Sequence, residues 1–211
     1  MHLDLKQNQL TKSTYRMKNS IIFLCLILLV SCKETSKDAQ EPQSEETTEQ
    51  KTISAEPDKK KSLSPHTSAM VMVGDAHIHF DYSSPGVRNR IVFGGLLPYD
   101  AVWQAGAHMA TWMETNKDVT IDRKVLKAGK YGFFVILNQE EWTIIFNTNW
   151  DQHGRDEYDE KDDVLRFKVT PKIIEEIKEH LEYKVTKVNN TFGTISLSWE
   201  KVIVEFPFEV N

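Results

Sequence analysis

The sequence predicts an antiparallel β-sandwich over residues 66–211. Short apolar segments recur there at near-regular spacing, most of them alternate between apolar and polar residues, and helical segments do not alternate with strands. One long packed loop and at most one short helix complete the prediction. A flattened β-barrel is the alternative fold.

Composition limits the class of protein and of site. A chain of 211 residues has room for one globular domain with extensions, and its formal net charge of −5 does not indicate a nucleic-acid partner. The two cysteines, Cys25 and Cys32, both precede the predicted domain. Disulfides and cysteine-ligated zinc are therefore excluded from residues 66–211.

The N-terminus has the pattern of an export signal. A basic segment, residues 1–20, leads into the apolar run 21–30, which is shorter than the ~20 residues needed to span a bilayer. The run ends in Leu-Val-Ser-Cys, which resembles a bacterial lipobox. We therefore predict a lipoprotein signal peptide over residues 1–31 and lipidation of Cys32, with a plain secretory signal or a buried core helix as alternatives.

Residues 32–65 are predicted to form a flexible tether. From residue 33 to 64 the chain is rich in Glu, Lys, Ser, Thr and Gln, has no aromatic residue, and contains only Ile53 and Leu63 as branched aliphatic residues. Such a segment cannot bury enough apolar surface to offset the entropy lost on ordering. Its reach of roughly 30 Å would hold the domain away from a membrane.

Strands are predicted wherever apolar and polar residues alternate or an apolar run lies between turn residues. In 76–82 the alternation directs His77 and His79 away from the core, and 131–137 is apolar on both faces, which indicates a central strand. The predicted strands are 70–73, 76–82, 110–115, 119–121, 131–137, 142–147, 164–169, 183–188, 194–199 and 202–210.

Two features near the C-terminus modify this pattern. The apolar residues Ile173, Ile174, Ile177 and Leu181 follow a helical spacing, which predicts a short helix before the strand at 183. Pro207 has no backbone N–H to donate, so the last strand is predicted at a sheet edge.

The segment 82–108 is irregular and yet apolar. Pro85-Gly86, the pair Gly94-Gly95 and Pro98 interrupt both the helical and the strand period, while the aromatic residues of the segment are too many for a disordered linker. We therefore predict a loop that is packed onto the sandwich through Trp103. It would present Arg88, Arg90 and His108.

Several motifs resemble a family of exported Bacteroidota proteins that is known only as a domain of unknown function. The similarity covers roughly residues 66–211, and it implies an exported, often lipid-anchored domain without supplying an activity or catalytic residues. Many relatives have Arg and Asn where this chain has Gln104 and His108. The motifs are Tyr-Ser-Ser-Pro-Gly-Val-Arg (82–88), Phe-Gly-Gly-Leu-Leu-Pro-Tyr (93–99), Gly-Ala-His (106–108), Ala-Gly-Lys-Tyr (128–131), Glu-Trp-Thr-Ile-Ile (141–145) and Tyr-Asp-Glu-Lys-Asp-Asp-Val-Leu-Arg (158–166).

Histidines supply one candidate site. His77 and His79, at alternate positions of one strand, are expected ~6–7 Å apart, a spacing at which two imidazoles can share a divalent metal such as zinc. His108, His153 and Asp151 are candidates for the further ligands. The alternative is a polar strand face with no special role.

Aromatic residues supply a second candidate site. Tyr82, Tyr99, Trp103, Trp112 and Trp150 could stack on a sugar ring, with Arg88 and Arg90 as polar contacts, although aromatics in a β-sandwich are often structural. Candidate ligand-binding residues are thus Tyr82, Arg88, Arg90, Trp103 and His108.

Two functions follow from these sites. The first is a non-enzymatic, lipid-anchored module of the cell envelope that binds a small ligand or a carbohydrate, on the periplasmic face of the outer membrane or at the cell surface. The second is a metal-dependent hydrolase that uses His77, His79 and a loop histidine. The sequence does not decide between enzyme and binding module, and it leaves ligand and oligomeric state open.

Overall fold

A computed structural model describes residues 62–211, and the predicted signal peptide, Cys32 and most of the predicted tether lie outside them. The described residues contain eleven strands, one 3₁₀ turn at Glu160–Asp162 and no α-helix. No helix in this part of the chain is long and apolar enough to cross a membrane. The strands are β1 (His66–Val73), β2 (Ala76–Ser83), β3 (Val102–Trp103), β4 (Trp112–Thr115), β5 (Val119–Ile121), β6 (Lys124–Leu126), β7 (Gly129–Ile136), β8 (Trp142–Asn147), β9 (Asp163–Val169), β10 (Lys172–Lys187) and β11 (Phe192–Val210).

The strands form two antiparallel sheets. The larger has the order β1-β2-β4-β7-β8-β9, with β3 paired to β7 beyond the end of β4, and the smaller has the order β10-β11-β5-β6. Neither sheet closes on itself. The predicted β-sandwich is confirmed, and the alternative barrel is wrong.

The core lies between the two sheets and is rich in aromatic side chains. Phe80 of β2 stacks on Tyr183 of β10 with ring centroids 5.1 Å apart, and Phe133 of β7 lies 6.4 Å from Phe206 of β11. All four side chains are buried. Each such side chain removes a large apolar area from water, and this burial is the main force that joins the sheets.

The two strands with the clearest patterns are as predicted. In β2 every second residue is buried, and His77, His79 and Asp81 are only partly covered on the opposite face. In β7 the run 132–135 is buried on both faces, because β4 and β8 flank the strand and both sides of the sheet are covered there. We call the face of the larger sheet that is turned away from β10 and β11 the outer face.

The predicted helix at 173–181 is wrong, because these residues belong to strand β10. The pairing of β10 with β11 shifts register between Ile173 and Lys178, and again between Lys178 and Glu182. Extra residues at these bulges break the two-residue alternation of a strand. The resulting spacing of the isoleucines imitates a helical period, although Ile173 and Ile177 are exposed.

The final strand also differs from the prediction. The predicted strands 194–199 and 202–210 form one strand, β11. Its backbone is irregular at Glu200, where φ is +53°. This strand is not at an edge, since it lies between β10 and β5. Pro207 is tolerated because the pairing with β10 ends at Ile203 and the pairing with β5 begins at Phe208, so no ladder bond is required of it.

Candidate functional site

The segment 82–108 packs against the sandwich, as predicted. Trp103 is buried, its indole N–H donates to the carbonyl of Gly106 at 3.0 Å, and its ring stacks on Trp199 at 5.9 Å. The carbonyl of Ala105 accepts hydrogen bonds from Tyr183 and from Thr111. Buried side chains therefore hold this irregular backbone in one conformation.

The beginning of this segment forms one wall of a groove. A cavity of about 860 Å³ opens between residues 62–67, the end of β2 with the turn that follows it, and residues 176–182 of β10. This volume lies within the range of about 300–1,000 Å³ that is usual for small-ligand sites. The groove, as the term is used below, is lined among others by Leu63, Tyr82, Arg88, Ile177, His180 and Leu181.

Backbone pairing between the turn and β10 fixes the shape of the groove. The N–H of Val87 donates to the carbonyl of Glu179 at 2.7 Å, and the N–H of Leu181 donates to the carbonyl of Pro85 at 3.0 Å. The hydroxyl of Ser84 donates to the carbonyl of Leu181 at 2.7 Å. The groove floor is therefore preformed, since its hydrogen bonds are made within the protein.

The two candidate arginines have different roles. Arg90 donates to the carbonyls of Val87 and Gly86, at 3.0 and 2.7 Å, so its guanidinium stabilises the turn. Arg88 is exposed at a left-handed φ of +50°, and its backbone N–H donates to the Glu179 carboxylate at 3.0 Å. Within residues 62–211, the Arg88 guanidinium has no hydrogen-bond or ion-pair partner. All of the Arg88 N–H donors are therefore open to a ligand, whereas Arg90 uses two of its donors within the turn.

Other charges of the groove are largely engaged. Lys178 pairs with Glu176 at 3.0 Å, Glu182 pairs with Lys184 at 3.3 Å, and the imidazole of His66 pairs with Asp81 at 2.8 Å. The Arg88 guanidinium therefore remains the donor best placed to contact a bound molecule.

Tyr82, another candidate ligand residue, lies at the groove floor with little exposed surface. Its hydroxyl accepts a hydrogen bond of 3.2 Å from the backbone N–H of Tyr183, and burial raises the pKa of the phenol. The hydroxyl thus stays protonated at neutral pH. Tyr82 supplies an apolar floor and a packing contact.

The four candidate histidines are divided between two places. His77 and His79 lie on the outer face with ring centroids 5.9 Å apart. His108 and His153 are exposed in two loops that are joined by a hydrogen bond of 2.8 Å from the N–H of Gly154 to the carbonyl of His108. His153 also pairs with Asp156 at 3.1 Å.

The predicted zinc site needs at least three ligands in one place. Among residues 62–211 no three His, Cys, Asp or Glu side chains are arranged to hold a metal ion. The zinc hypothesis stays a prediction from sequence, and its ligand set gains no third member from the described side chains.

The five candidate aromatics do not form one platform. Tyr82 and Trp103 are in the core, while Tyr99 packs against the same core from the loop. Trp112 and Trp150 are instead partly exposed on the outer face, with ring centroids 6.3 Å apart. The Nζ atom of Lys130 lies 3.5 Å from the centroid of each of these two rings.

Sequence reasoning missed the β10 wall of the groove and also Lys130. Glu179, His180 and Leu181 were assigned to a helix, so their proximity to Arg88 could not be predicted. Lys130 lies just before the predicted strand 131–137, whereas in the structure it belongs to β7 and is opposite Glu114. The alternation of polar and apolar residues from 181 to 185 was the signal that could have indicated a strand.

Comparison with known proteins identifies one matching family. The family model described as "Protein of unknown function (DUF2911)" matches residues 64–208. Searches of curated proteins and of solved structures found no match to the chain. The match spans nearly all of the described sandwich and brings no activity or site residues with it.

Proposed function

Since the chain belongs to the family described as Protein of unknown function (DUF2911), which supplies no activity to transfer, we propose its function from the geometry of the site. The domain is a non-enzymatic binding module of the cell envelope. It takes a small polar ligand, of the size of a mono- or disaccharide, into the groove.

The observation that carries this proposal is the Arg88 guanidinium, which has no partner among residues 62–211 and lies on the wall of a preformed cavity of about 860 Å³. A guanidinium presents several N–H donors in a planar fork, which suits carboxylate and hydroxyl groups of a ligand. Exposed Ile177 and Leu63 supply apolar surface beside it. Apolar walls with a few placed polar groups are typical of small-ligand sites.

Tyr82, at the groove floor, is suited to packing rather than to proton transfer. A general base or acid works best when its pKa is close to the operating pH. The pKa of Tyr82 is shifted upward by burial, away from neutrality, and its hydroxyl is held by the N–H of Tyr183. Tyr82 is therefore a packing contact of the groove rather than an acid or a base.

The experiment fills the groove without disturbing the fold. Ile177→Arg introduces a large side chain at a groove position that is 55% exposed, and Ile173→Arg makes the same change at a position of the same strand that is 77% exposed and outside the groove lining. Thermal shift is measured on the wild type with a panel of monosaccharides, disaccharides and free amino acids.

We expect at least one compound to raise the melting temperature of the wild type and of Ile173→Arg, and to have no effect on Ile177→Arg or Arg88→Ala. A compound that stabilises Ile177→Arg as much as the wild type would place its site elsewhere. A panel that stabilises none of the proteins would leave the groove without a small-ligand function, and the proposal would be abandoned.

The membrane attachment rests on Cys32, which lies outside the described residues. The basic start, the short apolar run and the Leu-Val-Ser-Cys ending support lipidation of this cysteine and anchoring to an envelope membrane, facing the periplasm or the cell surface. Cys32→Ser should remove the protein from the detergent phase or leave it uncleaved. Cys25→Ser is the control and should partition as the wild type; the reverse pattern would exclude the proposed anchor.

A further inference from the structure

Two tryptophans on the outer face share one lysine. Trp112 is on β4, Trp150 is in the loop between β8 and β9, and the Nζ atom of Lys130 lies 3.5 Å from both ring centroids. All three side chains are partly exposed. The cluster thus presents aromatic surface and a positive charge to solvent at the same point.

This point adjoins a row of side chains that crosses the outer face of the larger sheet. The pairing registers place Met70, His79, Glu114 and Lys130 directly opposite one another on β1, β2, β4 and β7. The His79 ring meets Trp112 edge to face with centroids 5.1 Å apart. Its Nε2 atom is enclosed and has no hydrogen-bond partner among the described residues.

The row is open while the adjoining part of the sheet is covered. Phe134 and Ile145, on the outer face of β7 and β8, are buried under Tyr158 of the loop that carries Trp150. Met70 and Met72, on the outer face of β1, are 56% and 49% exposed. Trp150 therefore stands at the border between a covered half and an uncovered half of the sheet.

The charge of Lys130 is not neutralised within this part of the protein. Among residues 62–211 it forms no ion pair with a carboxylate, although Glu114 is its cross-strand neighbour. Asp81, which lies opposite Trp112 in the pairing of β2 with β4, is engaged with His66 at 2.8 Å. Because Lys130 is only partly buried, an anionic ligand that pairs with its ammonium group would approach from the solvent side.

We propose that a cluster on the outer face, formed by His79, Trp112, Glu114, Lys130 and Trp150, binds an acidic saccharide, namely a chain that contains uronic acid residues. The apolar C–H face of a pyranose would stack on an indole ring, and its carboxylate would pair with Lys130. Glu114 would accept a hydrogen bond from a ring hydroxyl group, and His79 would support the Trp112 ring through its edge-to-face contact. None of these residues lines the groove, so this site does not depend on the groove proposal.

If Lys130 has a purely structural role, a different result is expected. If Lys130 only links Trp150 to Trp112 and so holds the loop on the sheet, its replacement should change stability without affecting any saccharide. The formal net charge of the chain is −5, so attraction of polyanions by the protein as a whole does not explain binding at this site. Binding must depend on the local cation.

The test compares the binding of hexagalacturonate with that of maltohexaose, a neutral chain of the same length. Isothermal titration calorimetry and tryptophan fluorescence measure the binding. The variants are Lys130→Gln and Trp112→Phe, with Lys168→Gln as the matched control, because Lys168 is on β9 of the same sheet and pairs with Glu141 at 3.0 Å. Ile177→Arg serves as a control for the groove.

We expect the wild type to bind hexagalacturonate at least about 10-fold more tightly than maltohexaose, with binding that weakens as salt is added. Lys130→Gln should weaken hexagalacturonate binding by at least about 10-fold, whereas Lys168→Gln and Ile177→Arg should not change it. Trp112→Phe keeps an aromatic ring and should bind with a smaller fluorescence change.

Equal affinity for the two saccharides, no binding of hexagalacturonate by the wild type, or undiminished binding by Lys130→Gln would each overturn the proposal. If Lys130→Gln lowers the melting temperature, the salt dependence and saccharide preference of the wild type decide the question on their own.

Discussion

The hydroxyl of Tyr183 donates a hydrogen bond of 2.7 Å to the backbone carbonyl of Ala105. Tyr183 is on β10 of the smaller sheet, and Ala105 is in the irregular segment next to β3 of the larger sheet, at a left-handed φ of +52°. Burial raises the pKa of Tyr183 well above its usual value, so the phenol remains a donor at all working pH values. One buried hydroxyl thus fixes a loop residue that has no regular pairing.

Removal of this hydroxyl should cost stability without unfolding the domain. In Tyr183→Phe the carbonyl of Ala105 keeps its bond of 3.0 Å from Thr111, so it is not left unsatisfied, and we expect a loss of about 0.5–1.5 kcal/mol in the free energy of unfolding. Urea denaturation measures it. Tyr131→Phe is the control, because its exposed hydroxyl can be replaced by water, and its effect should stay within about 0.5 kcal/mol. Equal effects would show that the Tyr183 bond contributes nothing specific.

Trp103 should be the main anchor of the segment 82–108. It is 5% exposed and packs on Trp199, so Trp103→Ala should destabilise the domain by about 3–5 kcal/mol in chemical denaturation. His108→Ala, at an exposed position of the same segment, should stay within about 0.5 kcal/mol. A stable Trp103→Ala protein together with an unfolded His108→Ala protein would reverse these two roles.

Asp163 should make stability depend on pH. Burial is the largest influence on this carboxyl and raises its pKa above the usual value of 3.8, against the lowering effect of hydrogen bonds from Asn147 and Tyr158. A carboxyl with a raised folded-state pKa binds its proton more tightly in the folded state, so its contribution to stability is present below pH 3.8 and is lost as the pH rises through the raised value.

The free energy of unfolding of the wild type minus that of Asp163→Asn should therefore decrease as the pH rises above 3.8. Urea denaturation of both proteins at several pH values measures this difference, in which the other acids cancel. A difference that increases with pH would mean that the hydrogen bonds and Arg166 outweigh the burial.

The boundary of the folded domain can be placed by truncation. The carbonyl of Pro65 accepts a bond of 2.8 Å from the N–H of Ser84, and His66 pairs with Asp81. A chain of residues 62–211 should melt cooperatively and at the same temperature as residues 33–211. A chain that starts at Thr67 loses both contacts, and its melting temperature should fall by about 2–6 °C, as scanning calorimetry would detect. A higher melting temperature for residues 33–211 than for 62–211 would show that residues before 62 also stabilise the folded domain.

The sequence predicted the sandwich because its local patterns are strong in strands such as β2 and β7, where side-chain alternation and burial agree. The prediction was wrong at β10 because bulges there interrupt the two-residue alternation of side chains. A bulge is defined by the pairing with the partner strand, so the sequence pattern of β10 alone does not reveal it. The groove was beyond prediction for a related reason. Arg88 and Glu179 are separated by 91 positions in the chain and meet only through the pairing of the turn with β10.

The outer-face cluster was predicted in part. Alternation placed His77 and His79 on one face, and Trp112 and Trp150 were recognised as candidate contacts, but their meeting with Lys130 depends on the register of β4 with β7 and on the position of a loop. Composition gave no separate indication of which aromatics are core. Trp103 and Tyr82 became core residues because the irregular segment folds inward at this place.

Ligand binding in the groove can be located by NMR. Backbone amide resonances of uniformly ¹⁵N-labelled protein are followed during titration with the compound that raises the melting temperature most. We predict that the largest chemical-shift changes fall at residues 62–67, at 82–88 and at 176–182. These changes should be absent in Ile177→Arg and retained in Ile173→Arg. Changes centred on any other surface, or unaltered changes in Ile177→Arg, would contradict it.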